Sequence, residues 1–240
     1  MPPLKTTQSG INWLTRSDSF RILHHFDYVC NLINQSNQIL ALHTAEVGLG
    51  PFSCQIDPTH FQQIRSAESI KLAPLKNGFS INNHFFSIKT CKLWNARPDW
   101  ESFACSSIAE TQHQLTDDVE TMMRTLHQAI CAKNNQAIHD TASRLAGRGI
   151  GLTPEGDDVL LGTIYALHVL GLDKAIIEMI GEATIGRTTS LSAAFLQAAV
   201  AGEATEHWHD VLEGKAGALD KLLAVGATSG KDAWHGFTAG

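Results

Sequence analysis

Between Gly147 and Gly162 the chain reads GRGIGLTPEGDDVLLG, which sets an arginine, a threonine and an Asp-Asp pair among five glycines. Glycine costs about 0.5–1 kcal/mol relative to alanine inside a regular element, so this density points to sharp turns or close backbone approach. Gly147, Gly149 and Gly151, two residues apart, describe an open backbone whose N–H groups can face an anion ahead of a helix. Arg148 can hold a carboxylate or phosphate through two parallel hydrogen bonds. A second run, Gly226 to Gly236, repeats the tail of the first as G-x-D-x-x-x-G. Gly156, Asp158 and Gly162 correspond to Gly230, Asp232 and Gly236. A Gly-x-Thr precedes each copy, ending in Thr153 and in Thr228. The pattern predicts two glycine-rich loops, each leading into a helix N-terminus, that converge on one polar site.

Asp158 and Asp232 are therefore the candidate catalytic pair, and Asp157 has no counterpart in the second copy. His235, inside the terminal run, is a candidate acid or hydrogen-bond donor, weighed against a packed core histidine. The candidate binding residues are Gly147, Arg148, Gly149, Gly151, Thr153, Gly156, Asp157, Thr228, Ser229 and Gly230. An anion beside two aspartates is repelled unless a cation intervenes or the carboxylates turn away. Adjacent helical residues diverge by about 100°, so Asp157 and Asp158 should differ in role. One is expected to brace N–H groups of the neighbouring loop. The other is expected to face the site, accepting hydrogen bonds from an amide-bearing substrate or helping to hold Mg²⁺. No cofactor is selected: Mg²⁺ stays open, because two or three aspartates form no ligand pattern.

Plainer readings stand beside these. Thr153-Pro154 resembles a helix start, with Thr as N-cap and Pro in the first helical position. The helix dipole alone favours Glu155, Asp157 and Asp158 there, by about 0.3–1 kcal/mol each. Arg187, Thr188, Thr189, Ser190 and Ser192 read as an ordinary N-cap, and His207-x-His209 as a surface pair. Ser229 lies outside the G-x-S-x-G elbow of hydrolases, and no Lys-Ser or Lys-Thr follows the first glycines as in a phosphate-binding P-loop.

The elements that must carry these loops change character near residue 105. Before it, apolar residues alternate in short stretches: Phe52, Cys54 and Ile56 after Gly50-Pro51, and Asn31–Ile33 against Ile39–Leu42 across a polar turn. Ile70 and Leu72 precede Asn77-Gly78, a strong hairpin signal, and Phe79, Ile81, Phe86 and Ile88 follow. After it the period is helical: Leu115, Val119, Met122, Leu126 and Ile130, then Ile138, Ala142 and Leu145 up to Gly147. Val159 to Leu170 is apolar nearly all round, as a central buried helix would be. Further helices are expected over Ala175–Ile185, within Thr188–Ala204, and around Leu219–Val225, before a final loop. The prediction is an α+β protein: a mostly antiparallel sheet or partial barrel over 1–105, packed on a helical domain over 106–240 with a buried central helix.

Composition sets the outer bounds. Charge is dispersed, with a net of −6 and 18 Lys and Arg, which argues against a nucleic-acid surface. The N-terminus lacks a signal-like apolar stretch and no segment is long enough to span a bilayer, so a cytoplasmic protein is expected. The cysteines Cys30, Cys54, Cys91, Cys105 and Cys131 are odd in number and lack C-x-x-C spacing, as buried thiols rather than disulfides would be.

At Gly149–Gly162, at Thr189–Ser192 with the Ala-rich run to Gly202, and at Gly226–Gly236, the chain resembles the AllH-like family of oxamate carbamoyltransferase subunits. The resemblance implies a partner-dependent enzyme of anaerobic allantoin breakdown, working with other carbamoyltransferase subunits. It also implies small anionic ligands of the carbamoyl phosphate, oxamate or oxalurate class. Transfer of a carbamoyl group needs donors on a phosphate and on a carbonyl oxygen gaining charge, plus a clamp for the acceptor's carboxylate. Loop N–H groups, Thr153, Thr228, Ser229 and Arg148 are of the right types. No covalent step is required, so proximity can supply much of the rate. The alternative is a non-catalytic metabolite-binding or scaffolding module.

Overall fold

The computed structural model describes residues 4–16, 19–66, 71–75, 78–81, 84–103 and 113–239. These fall into two compact units, Met1–Ala96 and Arg97–Gly240. Residue 105, where the sequence changes character, lies outside the described residues, as do Cys105, Ile70 and Asn77.

The first unit is built on a six-stranded mixed sheet in the order β2-β3-β4-β5-β1-β9. Its strands are β1 (Lys5–Thr6), β2 (Phe20–His25), β3 (Val29–Asn34), β4 (Ile39–His43), β5 (Ser53–Gln55) and β9 (Lys92–Leu93). β3 and β4 form the expected hairpin, pairing Leu32 with Leu40 and Cys30 with Leu42. Its turn is made locally: Asn34 Oδ1 accepts from the N–H groups of Ser36 and Gln38, and Asn37 takes φ 59°. β5 runs parallel to β4 and antiparallel to β1, so the strand expected after Gly50-Pro51 is realised over Ser53–Gln55. β6 (Leu72–Leu75), β7 (Gly78–Ile81) and β8 (His84–Ser87) make a separate antiparallel sheet with Leu75 opposite Gly78, which matches the hairpin expected there. Neither sheet closes into a barrel. Two helices that the periodicity did not announce, α1 (Gln8–Arg16) and α2 (Pro58–Arg65), add Trp13, Leu14, Phe61 and Ile64 to a core with Leu32, Leu40, Leu42 and Phe79. Cys30 and Cys54 are buried free thiols, and burial pushes Cys30 up to about 11. Cys91 is half-buried, and in the second unit Cys131 is exposed, so the expectation of buried thiols fails there.

The second unit is helical: α3 (Asp117–Cys131), α4 (Asn135–Leu145), α5 (Glu155–Val169), α6 (Lys174–Thr184), α7 (Ser190–Val200), α8 (Glu206–Leu212), α9 (Ala218–Leu223) and α10 (Ser229–Thr238). α5 is the buried central helix, with Val159, Leu160, Ile164, Tyr165 and Leu167 at most 3% exposed. Aromatic rings close its far half: Tyr165 stacks on Trp100 and meets Trp208 edge-on, and Trp208 packs with Trp234 and Phe237. Side-chain caps set several starts, Asn134 for α4, Asp173 for α6 and Thr189 for α7. Two expectations fail. Thr153 does not cap α5: Pro154 holds the N-cap position with extended backbone, and the helix begins at Glu155. The stretch from Ser229 onward is the last helix, so the terminal loop is only the short segment before it.

Candidate functional site

The glycine repeat is first a packing device. Gly162 of α5 lies on the carbonyl of Ala233 in α10, and Gly236 of α10 lies on the carbonyl of Val159 in α5. A Cβ at either position would overlap that oxygen. The contacts are reciprocal, because Val159 follows Asp158 and Ala233 follows Asp232. Gly156 and Gly230, each second in its helix, press in the same way on the carbonyls of Leu145 in α4 and Leu222 in α9. The two copies thus share one arrangement: a helix start seated on the end of the preceding helix and crossed closely with its counterpart.

Other glycines shape the loops. Gly147, Gly149, Gly151 and Gly226 have φ of 70°, 111°, 101° and 64°, a region open mainly to glycine. Several N–H groups of the two runs bond within the protein itself. Gly147 N–H donates to Asp157 Oδ1 (2.8 Å), Arg148 N–H to Leu145 O (2.9 Å), Gly156 N–H to Arg148 O (2.8 Å) and Gly230 N–H to Val225 O (3.0 Å). The Arg148 guanidinium pairs with Asp118 on the surface, with its side chain 55% exposed. Thr228 is exposed ahead of α10 and accepts backbone bonds from Lys231 and Asp232. Thr189 caps α7, as expected, and also donates to Leu152 O (2.6 Å).

The two adjacent aspartates do divide the work. Asp157 is the brace: it accepts from Gly147 N–H and from the Thr188 hydroxyl, fastening the first loop to the start of α7. Burial nevertheless raises its carboxyl above the ordinary carboxylate range. Asp158 is 5% exposed and faces the second copy. Its carboxyl lies against the hydroxyls of Ser229 and Thr153, which also bond to each other at 2.7 Å. That contact joins residues 76 positions apart and brings the two runs together. Burial, with the like charges of Asp232 and Asp157, pushes the Asp158 carboxyl up to about 8 against the pull of those hydroxyls.

Asp232 is 1% exposed, the fourth residue of α10 as Asp158 is of α5. Its Oδ1 lies 2.5 Å from His113 Nε2. The His113 ring meets His235 edge-on at 6.3 Å, and burial together with His113 lowers His235. Oδ2 of Asp158 and Oδ2 of Asp232 are both buried without a hydrogen-bond partner. Buried polar atoms are normally satisfied, and in the helical unit these two oxygens single the pair out as the candidate site. His113 is the residue that the sequence did not reveal. It lies outside any periodic segment, 119 positions from its partner, and no spacing rule links them.

Among the described residues, no group of three or more His, Cys, Asp or Glu is arranged to hold a metal ion. His207 and His209 are half-buried on α8 rather than on open surface. A cavity of about 620 Å³ lies at the opposite end of α5, lined among others by Arg97, His168, Lys174, Glu178 and Gln197. His168 Nε2–H there donates to Ala199 O (2.8 Å), and the ring stacks on Trp100. No helix of the described residues is long and apolar enough to cross a membrane.

The candidate site lies in the helical unit, where two paired helix starts each bury an aspartate. A family model described as oxamate carbamoyltransferase subunit AllH matches residues 145–240, and the AllH family N-terminal domain matches residues 6–93. The chain belongs to the AllH family. No solved structure matches it.

Proposed function

We propose that the chain acts in the cytoplasm as a subunit of a carbamoyltransferase-type enzyme, binding a small carboxylate- or phosphate-bearing metabolite at the Asp158–Asp232 site beneath its glycine-rich loops. The family description supports the subunit role and implies other subunits as partners. One observation carries the site: two buried carboxylates from runs far apart in sequence each keep an unpartnered oxygen. A fold maintaining only its own packing gains nothing from that, since each orphan costs about 1–3 kcal/mol. Transfer from carbamoyl phosphate to the oxamate nitrogen forms a C–N bond, breaks a C–O bond and releases phosphate and a proton. A protonated Asp158 offers a donor to the carbonyl oxygen that gains charge. Asp232, beside His113, offers an acceptor for the departing proton.

The test is Asp158→Asn and Asp232→Asn in the reconstituted enzyme, with transfer rate, oxamate affinity and thermal unfolding all measured. Loss of transfer with binding and folding intact supports this reading. Parallel loss of binding and transfer supports a non-catalytic metabolite-binding module instead. Full transfer activity in both variants overturns the site.

A further inference from the structure

We propose that Ile150, Leu152 and Val225, apolar side chains on the two glycine-rich loops, form the docking surface for another subunit of the enzyme, one that offers an apolar pocket with an acidic rim. This rests on the subunit role proposed above and names the surface that serves it.

Ile150 is 95% exposed, more than any other large apolar side chain among the described residues. It stands between Gly149 and Gly151, both in the positive-φ region that favours glycine. The backbone is fixed on either side of it: Arg148 O accepts from Gly156 N–H, and Leu152 O accepts from the Thr189 hydroxyl. An ordered loop therefore holds the isoleucine in water, leaving about 1.5–3 kcal/mol of burial unrealised. Single exposed apolar residues are ordinary, but this one has company. Among the described residues of the helical unit, the exposed large apolar side chains are Ile150, Leu152, Leu170, Leu172 and Val225. Leu170 and Leu172 follow the far end of α5, and the other three lie on the two loops that Thr153 and Ser229 join.

Charge indicates which partner fits. The stretches 144–153, 185–189 and 225–231 carry Arg144, Arg148, Arg187 and Lys231 and no acidic residue, in a chain of net −6. Thr189 on Leu152 O and Thr153 on Ser229 stitch these stretches together. Asp118 answers Arg148. Lys231 sits in the first turn of α10, where the helix dipole disfavours a cation, so the helix itself does not account for it. Apolar side chains with cations beside them match the core and rim of an interface, and an acidic border on the partner completes the match. A second copy of this chain fits poorly, because a two-fold contact would set the same cations against each other. Another subunit, which the family description implies, carries no such conflict.

The experiment measures association of the full chain with the other purified subunits of the carbamoyltransferase, by calorimetry and sedimentation and without substrate. Ile150→Glu should weaken association about tenfold or more. Its Tm should stay within about 2 °C of wild type, because the side chain is already in water. Ile150→Ser should weaken association less, and Leu170→Glu, the same kind of change at the far end of α5, should leave it as it was. Arg187→Glu should slow association at low salt, with the difference fading as salt rises. Wild-type association in Ile150→Glu, an equal loss in Leu170→Glu, no effect of Arg187→Glu at low salt, or no association of the wild type overturns the inference. So does a homodimer of this chain that Ile150→Glu dissolves while the other subunits still bind. Failure of the aspartate site shows separately, as full transfer activity in Asp158→Asn and Asp232→Asn of an enzyme that still assembles.

Discussion

The starts of α5 and α10 are two versions of one arrangement, and what separates them is more informative than what they share. Both seat a glycine on the preceding helix, bury an aspartate at the fourth position, and use a second glycine for the crossing. The start of α5 adds Asp157, which locks its loop to Thr188; the equivalent position in α10 is Lys231, which has no carboxylate to accept such bonds. The start of α10 instead has His113 against its aspartate. The repeat supplies a scaffold, and the non-repeated residues give each carboxylate its own electrostatic role.

The shared part should break hardest. Gly162→Ala or Gly236→Ala drives a methyl into a backbone carbonyl that cannot swing aside, and should cost about 3 kcal/mol or more. Thermal unfolding would show this as a large fall in Tm or loss of soluble protein. Gly171→Ala, whose Cβ would meet open space at φ 61°, should cost about 1 kcal/mol. If the two kinds of variant behave alike, the crossing is not set by the glycines.

The next effect is electrostatic. Folding raises the Asp158 carboxyl from 3.8 to about 8, so between these values the folded chain holds a proton that the unfolded chain has released. Stability from this group is therefore full below about 4, falls as pH rises, and levels off above about 8, by on the order of a few kcal/mol in all. Asp157, also raised by burial, acts with the same sign. Denaturant unfolding across this range should show the decline in the wild type and a flatter profile in Asp158→Asn.

The asymmetry of the brace gives a sharper contrast. Asp157→Ala strands the Gly147 N–H and the Thr188 hydroxyl, and should cost about 1–3 kcal/mol in unfolding free energy. Lys231→Ala at the same helical position should stay within about 0.5 kcal/mol. The smallest effect is expected at Arg148→Ala, which removes an exposed ion pair with Asp118 and should change unfolding by less than about 1 kcal/mol. A large loss of oxamate affinity in Arg148→Ala, measured by calorimetry, would instead assign that side chain a part in binding.

The sequence showed this architecture unevenly, for physical reasons. α3 to α7 and α9 follow apolar periods that survive in any context, and the β3–β4 hairpin announces itself in its polar turn. A helix start was expected at the second run, but the extent of α10 was hidden because Gly230 and Gly236 resemble loop residues when only local propensity is weighed. Their value lies in contacts with Leu222 and Val159, which propensity does not contain. α2 carried a legible Asp57-Pro58 start, with Asp57 capping Thr59 and His60, but its short apolar face was too sparse to stand out. The Asp158–Asp232 pairing was visible in the G-x-D-x-x-x-G spacing. His113 was not, because its partner is fixed by tertiary packing alone. An N–H count from sequence also cannot tell that the fold uses the Gly147 and Arg148 N–H groups internally, on Asp157 and Leu145.

Carbon-13 NMR of aspartate-labelled protein, with the Asp158 carboxyl assigned by its loss in Asp158→Asn, tests the division of roles most directly. That carboxyl should carry its proton at neutral pH and release it near 8. A resonance that is already fully ionised at neutral pH would remove the donor and contradict the account.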